Sequence, residues 1–290
     1  HKFERRLSLF PAGVDSDGVL FANTGFGDYP HALPTKKNAI GKPEADDSGE
    51  FSKWMILSYK KKATASASSE RGEHSDPSLA FDEDIKTYWS APDGKPGHTL
   101  SVDLGAAKDV RAIQVNYADD AATLYAKQTD IHHRYKIYDS LDGKNWNLLV
   151  DKSKNESDIP HDYVELSAPL HTQFLKIENV EMPTGNFAIG DLRVFGNAAG
   201  DAPKAVLDFA VKRDEKDRRD VNLKWHKVEG AYAYEVLYGV EPDKLYTSIL
   251  VHDTDHYDLH ALNTESPYYF RIRAVAETGL SSPSAVLAAK

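Results

Sequence analysis

Asp82, Asp84 and Thr87 place three hard oxygen donors within one turn-length segment. Calcium takes about six to eight oxygens and accepts backbone carbonyls beside carboxylates. Asp and Thr at this spacing also build and cap turns, and the residues alone leave both readings open. His132 and His133 are a second feature with metal-binding chemistry, but neighbours on a strand point to opposite faces, which argues against a shared ion. The chain has no cysteine, so disulfides, thiolate catalysis and Cys-based zinc sites are excluded. Its 15 Tyr and 10% aromatic residues favour β structure and supply rings that can stack on sugars.

The elements that must position these groups are short strands. Thr99–Leu104, Ala112–Tyr117, Arg134–Tyr138, Tyr163–Leu166, Phe174–Glu178 and Leu192–Phe195 alternate apolar and polar residues, the period of a half-buried strand. Leu141-Asp142-Gly143-Lys144 carries a turn signal between two such runs. Farther on, Val221–Trp225, Ala233–Tyr238 and Tyr268–Ala274 alternate again, separated by Gly230, Pro242-Asp243 and Pro267. No long segment keeps a helical period. Many short strands with regular turns predict an all-β chain of sandwiches or barrels.

The chain's 290 residues suit two ordinary domains. Composition divides it at two places. Residues 1–56 are rich in loops, residues 57–199 and 200–290 carry the two strand-rich patterns, and Asn197–Pro203 reads as a linker. With 28% charged and 41% hydrophobic residues, the composition is that of a folded chain. A net charge of -10 makes nucleic acid a poor partner, and the run Lys60-Lys61-Lys62 reads as a solvated strand start. No apolar run is long enough for a transmembrane helix. The chain opens at His1-Lys2-Phe3 with neither an initiator Met nor a signal peptide, so the expectation is a processed or partial chain.

The middle region resembles a known family. Pro77-Ser78-Leu79-Ala80-Phe81-Asp82-Glu83-Asp84-Ile85-Lys86-Thr87-Tyr88-Trp89-Ser90 resembles the opening of discoidin (coagulation factor 5/8 C-type) domains and family 32 carbohydrate-binding modules. Ser101–Gly105, Tyr135–Trp146, Phe174–Ile177 and Asp191–Gly196 continue the resemblance in order and spacing. It implies an eight-stranded, jelly-roll-like sandwich with Trp89 and Trp146 as packing residues. It also implies a structural calcium ion at this segment, held by carbonyls around Ala80 and Asp82, by the Thr87 hydroxyl, and by an acid on the last strand. That acid is Asp191 here, where the family often has Glu. Sugar-binding residues in such modules lie in loops at one end of the sandwich. The candidates are Glu70, Arg71 and His74, then Tyr117, Asp119, Asp120 and Tyr125, then His132, His133 and Arg134, and last Asn186 and Phe187. This set supplies ring faces for C–H groups and planar polar groups for hydroxyls.

Both flanks carry resemblances too. Residues 200–290 resemble a fibronectin type III domain, an immunoglobulin-like sandwich. Trp225 matches its second-strand core Trp, and Leu262 with Tyr268 matches its tyrosine corner, whose hydroxyl bonds nearby backbone. Arg5–Pro30 resembles the final piece of the five-bladed β-propeller of family 43 glycoside hydrolases. Asp15-Ser16-Asp17-Gly18 also suits a plain hairpin turn. Residues 1–56 cannot supply a propeller's several blades, so the catalytic domain is expected outside this chain. Asp28 and His31 lie near the propeller end but are not assigned as catalytic, and no catalytic residue is assigned. Glycosidases need two carboxyls across the scissile bond, and the resemblance puts that pair in the absent part.

The resulting expectation is a secreted, periplasmic or cell-surface bacterial accessory region. It would bind glycan, with calcium as a structural cofactor and the N-terminal propeller of the same protein as a partner. Weak sugar contacts would hold the catalytic domain near polymer by effective concentration. Two alternatives are a chain that completes a glycosidase active site with a separate propeller segment, and a purely structural bracing region. Adhesion to protein or lipid is a further option, though no exposed hydrophobic loop pattern supports membrane insertion.

Overall fold

Apolar alternation dominates the structure, a computed structural model that describes residues 12–22, 24–31, 51–70, 72–123 and 131–290. Arg71 and Tyr125 lie outside the described residues. Among the described residues the regular structure is strands apart from two short 3-10 turns, Gly72–His74 and Pro77–Ala80. Among the described residues no helix is long and apolar enough to cross a membrane. The chain divides into two compact units. One comprises residues 1–55 together with 200–290, and the other comprises Ile56–Ala199.

The first unit begins with the hairpin β1 (Ala12–Val14) and β2 (Leu20–Ala22), paired antiparallel. The expected Asp15–Gly18 turn joins them. Asp15 Oδ1 accepts from the amides of Asp17 at 2.9 Å and Val19 at 2.8 Å, so the carboxylate caps its own turn.

The second unit holds β3 (Met55–Ile56), β4 (Lys62–Ala65), β5 (Trp89–Ser90), β6 (Thr99–Tyr117), β7 (Arg134–Ser140), β8 (Asn147–Asp151), β9 (His161–Glu181) and β10 (Ala188–Asn197). The hydrogen-bonded order is β3-β10-β6-β9-β7-β8, with β4 added to β6 and β5 to β10. The sequence predicts two strands within 99–117 and two within 163–178; the structure joins each pair into one long bent strand. Register shifts between Asp103 and Lys108 and between Val110 and Ala112 break the β6–β9 ladder. Such irregularities let a strand turn from one layer of a sandwich into the other. One core results, built from Leu100, Val102 and Leu104 before the bend and Ile113 and Val115 after it, closed by Trp89, Phe81, Tyr135 and Phe187.

Trp89 is fully buried, as expected. Trp146 is not. It follows the 141–145 turn, stays half-exposed, and carries the Lys176 ammonium 4.2 Å from its ring centroid. The turn takes it there: Asp142 Oδ1 accepts from the amides of Lys144 and Asn145, each at 2.8 Å, and Gly143 adopts φ +68. The apolar run resumes on the outer side of the strand, so the ring packs under a lysine stem instead of in the core.

After the second unit the chain returns to the first. β11 (Ala210–Arg213), β12 (Val221–Lys224) and β15 (His256–Leu259) form a three-stranded sheet. β13 (Ala231–Gly239), β14 (Thr247–His252), β16 (Tyr268–Ala276), β17 (Gly279–Leu280) and β18 (Leu287–Ala289) form the other. Trp225, Leu223, Tyr234, Val236, Phe270 and Ile272 fill the core that they share. The Tyr268 hydroxyl accepts from the Asn263 amide at 3.2 Å.

The opposite face of β13 and β16 is buried too, and carries the ion pair between Glu235 and Arg273. The Arg273 guanidinium lies 5.7 Å from the Phe26 ring centroid, and Phe26 stacks on Phe51 at 4.6 Å. Phe21 stacks on Tyr246 at 4.6 Å. The Tyr246 hydroxyl donates to Asp15 at 2.7 Å, and Lys244 reaches Asp17 at 2.6 Å. The N-terminal hairpin is thereby seated on the C-terminal strands.

Candidate functional site

Four segments of the second unit converge: the 68–76 loop, β5 with the residues after it, the 118–123 segment that leaves β6, and the 182–187 loop that enters β10. Asp120 joins the last three. Buried at 3% exposure, its Oδ2 accepts from Ser90 Oγ at 2.7 Å and from Asn186 Nδ2 at 2.8 Å. Its Oδ1 lies 3.5 Å from the Tyr88 hydroxyl, and its carbonyl accepts from the Asn186 amide at 3.0 Å. A buried carboxylate is stable when its lone pairs are satisfied in this way.

Gly185 permits the approach. At φ +70 it takes a conformation L-residues rarely adopt, and a Cβ there would sit 2.2 Å from the Asp120 carbonyl oxygen. Above the junction the His74 ring stacks on Tyr88, 3.8 Å apart and 16° from parallel. Both rings are half-buried, while Glu70 and Asp119 are exposed. Thr123 and Thr184 link the two loops through their hydroxyls at 3.2 Å.

A second group adjoins the first through Tyr117. His132 Nε2 and Arg134 Nη1 meet the two oxygens of Glu181 at 2.8 and 2.5 Å. The hydrogen bond from His132, followed by the nearby Arg134 charge, holds the Glu181 carboxyl below its ordinary range. His133 is buried against Tyr117 with ring centroids 4.5 Å apart, and its Nδ1 lies 3.4 Å from Asp158. Burial pushes its pKa down, partly opposed by the Asp158 charge.

The predicted residues thus divide. His74, Asn186 and Asp120 come together in the first group, with Asp119 exposed beside Asp120, and His132 and Arg134 share Glu181. His132 and His133, in the segment just before β7, meet different acids, Glu181 and Asp158. Tyr117 and Phe187 require correction as sugar-contacting rings. At 5% and 0% exposure both belong to the core, packed with Trp89 and Tyr135, and they support the loops from beneath. The sequence reading missed Tyr88, Ser90 and Glu181. Tyr88 and Ser90 flank the core Trp89, and strand alternation turns them away from it, which was a usable signal.

The predicted calcium ligands do not assemble as a set. The Thr87 hydroxyl lies 2.9 Å from both Asp82 oxygens and from the Asp84 carbonyl. Asp82 Oδ1 also takes the Asp84 amide, and Asp84 Oδ1 takes the Lys86 amide, each at 3.0 Å. Asp191 is buried on β10. Among the described residues no three His, Cys, Asp or Glu side chains gather to hold a metal ion, so Asp191 does not join Asp82 and Asp84 in such a cluster. The Asp82 and Asp84 carboxylates take hydrogen bonds from within their own turn.

Residues 63–190 match the family model of the F5/8 type C domain. The matched residues all lie within the second unit, which over that span is similar to an F5/8 type C (discoidin-like) domain. Solved structures similar to the chain include chitosan-binding module 1 from a chitosanase/glucanase of Paenibacillus sp. IK-5, with 23% identity over 49% of this chain and 98% of that one, at a TM-score of 0.39. Another is the family 32 CBM of C. perfringens NanJ in complex with galactose, with 22% identity over 49% and 98% and a TM-score of 0.40. A third is chitosan-binding module 2 of the Paenibacillus sp. IK-5 enzyme in complex with chitotriose, with 19% identity over 48% and 99% and a TM-score of 0.40. No curated protein matches the chain.

Proposed function

We propose that the chain is a non-catalytic, carbohydrate-binding accessory region of an exported polysaccharide-degrading glycoside hydrolase. The observation that carries this reading is the junction of three segments on Asp120 within a discoidin-like domain, with the His74–Tyr88 ring stack beside it. An aromatic face accepts the C–H side of a sugar, while amide and carboxylate groups exchange hydrogen bonds with its hydroxyls. Glycan binding would keep a tethered catalytic domain near its polymer. The first unit is read as a fibronectin type III-like sandwich, supported by Trp225 in its core and the Tyr268–Asn263 bond. Its N-terminal hairpin is read as the end of a propeller.

One observation favours bracing as a second reading: the hairpin is already committed to the C-terminal strands through Asp15, Phe21 and Phe26. A glycan array followed by titration calorimetry separates the two. The glycan-binding reading expects measurable affinity for a neutral oligosaccharide, lowered about tenfold or more in Tyr88→Ala and Asn186→Ala, a loss of about 1.4 kcal/mol or more. If no glycan binds the native chain, the bracing reading replaces it.

A further inference from the structure

We propose that the second unit carries a glycan-binding surface separate from its loops: a lane of side chains across the outer face of β8, β7, β9, β6 and β4 that takes an uncharged polysaccharide chain. Strand register defines the lane. Leu148 on β8 pairs with Tyr138 on β7, Tyr138 with Lys176 on β9, Lys176 with Ser101 on β6, and Ser101 with Thr64 on β4. Five strands about 4.8 Å apart make a track of about 19 Å, running across the strands. Their neighbours Ile137, Leu175, Ile177, Leu100 and Val102 enter the core, so alternation turns the lane outward.

Trp146 and Tyr138 give the lane its rings. The Lys176 ammonium stands 4.2 Å from the Trp146 ring centroid and 4.9 Å from that of Tyr138. Two aromatic side chains thus hold a flexible N–H donor in place. Both rings are half-buried, and Leu148 is 52% exposed. Ser101, half-buried, and Thr64, exposed, continue the lane with hydroxyls. Apolar surface beside a fixed donor and a row of hydroxyls matches a sugar, which presents C–H faces rimmed by hydroxyl groups.

Charge and size select the occupant. In the adjoining row Asp151 is opposite Lys136, and Lys136 is opposite Glu178. Two acids therefore balance the two lysines, Lys136 and Lys176, and this part of the face offers an anionic polymer no net attraction. Its apolar portion is three side chains, Trp146, Tyr138 and Leu148. That is far less than the about 800 Å² per partner that a stable protein interface buries, so a second copy of the chain is poorly served. The lane lies on β6 before its bend, whereas Asp120 follows the last residue of that strand. Binding at the lane is therefore independent of binding at the loops.

The test is affinity electrophoresis of the full chain through gels cast with soluble uncharged polysaccharides (a galactomannan, an arabinoxylan and a mixed-linkage glucan), beside the variants Trp146→Ala and Tyr88→Ala. At least one polymer should retard the native chain, with a dissociation constant about fivefold or more higher in Trp146→Ala. Oxidation of tryptophan by N-bromosuccinimide, mapped by peptide mass, supplies a readout on the native chain: the same polymer should protect Trp146. Retardation unchanged in Trp146→Ala, or Trp146 left unprotected, would overturn the proposal. Loss confined to Tyr88→Ala would also overturn it and leave the loop site standing. A native chain that no polymer retards sinks the lane, while the glycan array still decides for the loops. A dimer in sedimentation equilibrium that Trp146→Ala dissolves would assign the face to a second copy instead. If Trp146→Ala does not fold, protection of Trp146 in the native chain decides by itself.

Discussion

His133 illustrates how burial sets the chemistry of one residue. Its ring lies against Tyr117, and burial lowers its pKa despite the carboxylate of Asp158 nearby. The unfolded chain therefore binds a proton at higher pH than the folded one. Stability contributed by the neutral ring is fully present above about pH 6.5, the ordinary value for histidine, and falls as pH drops from there toward the lower folded value. The NMR titration of the His133 ring should give a midpoint below that of an exposed histidine, and an unshifted midpoint would contradict the packing described. At this scale the sequence was partly readable. His74, Asp120, His132, Arg134 and Asn186 were identifiable as polar or aromatic groups on loops and strand ends. Phe187 and Tyr117 were misread because an aromatic at a strand end can face either way. Only the three-dimensional position of Trp89 and Tyr135 turns both rings inward.

Strands and loops explain why these groups meet. Period-2 alternation located the segments of β6 and β9 but not their continuity, since the bends fall where the alternation lapses, between Asp103 and Lys108. Trp146 was misassigned for a related reason: an aromatic after a tight turn restarts the alternation on a face that the sequence does not specify. The 182–187 loop depends on one backbone conformation. Gly185→Ala would combine an unfavourable φ with a Cβ pressed against the Asp120 carbonyl. It should cost about 2–3 kcal/mol of stability in the second unit, measured by denaturant unfolding. Glycan affinity should fall with it, because the Asn186–Asp120 contacts depend on the same close approach. A Gly185→Ala chain as stable as the native one would show that the loop relaxes without consequence.

For the whole molecule, the union of residues 1–55 with 200–290 in one unit was not legible in the sequence. The contacts that unite them are between residues far apart in sequence, and no local pattern announces such pairing. Asp15 is the key group. The Tyr246 hydroxyl, then the Val19 and Asp17 amides and the Lys244 charge, hold its carboxyl below the usual carboxylate range. Its contribution to stability is present above about pH 4 and is lost as pH falls through the lowered folded value. Tyr246→Phe removes the largest of these effects, so the variant should melt a few degrees lower at neutral pH. Its further loss of stability in acid should be smaller and finish at a higher pH than in the native chain, because the onset is set by the unfolded carboxyl. Thermal melts across the acid range check both, and coincident native and variant curves would assign the hairpin's attachment to its aromatic contacts alone.

The Asp15–Tyr246 bond spans 231 residues of sequence, and the entire second unit lies between its two ends. During translation the hairpin leaves the ribosome well before the strands that receive it. The discoidin-like domain, whose strands all lie within the intervening stretch, can close in that interval. Once folded, it replaces a long flexible loop with a compact body and changes the entropy of bringing the flanks together. The order of synthesis thus makes the glycan-binding candidate the first part able to mature, while the flanking unit must wait for the last strands to emerge.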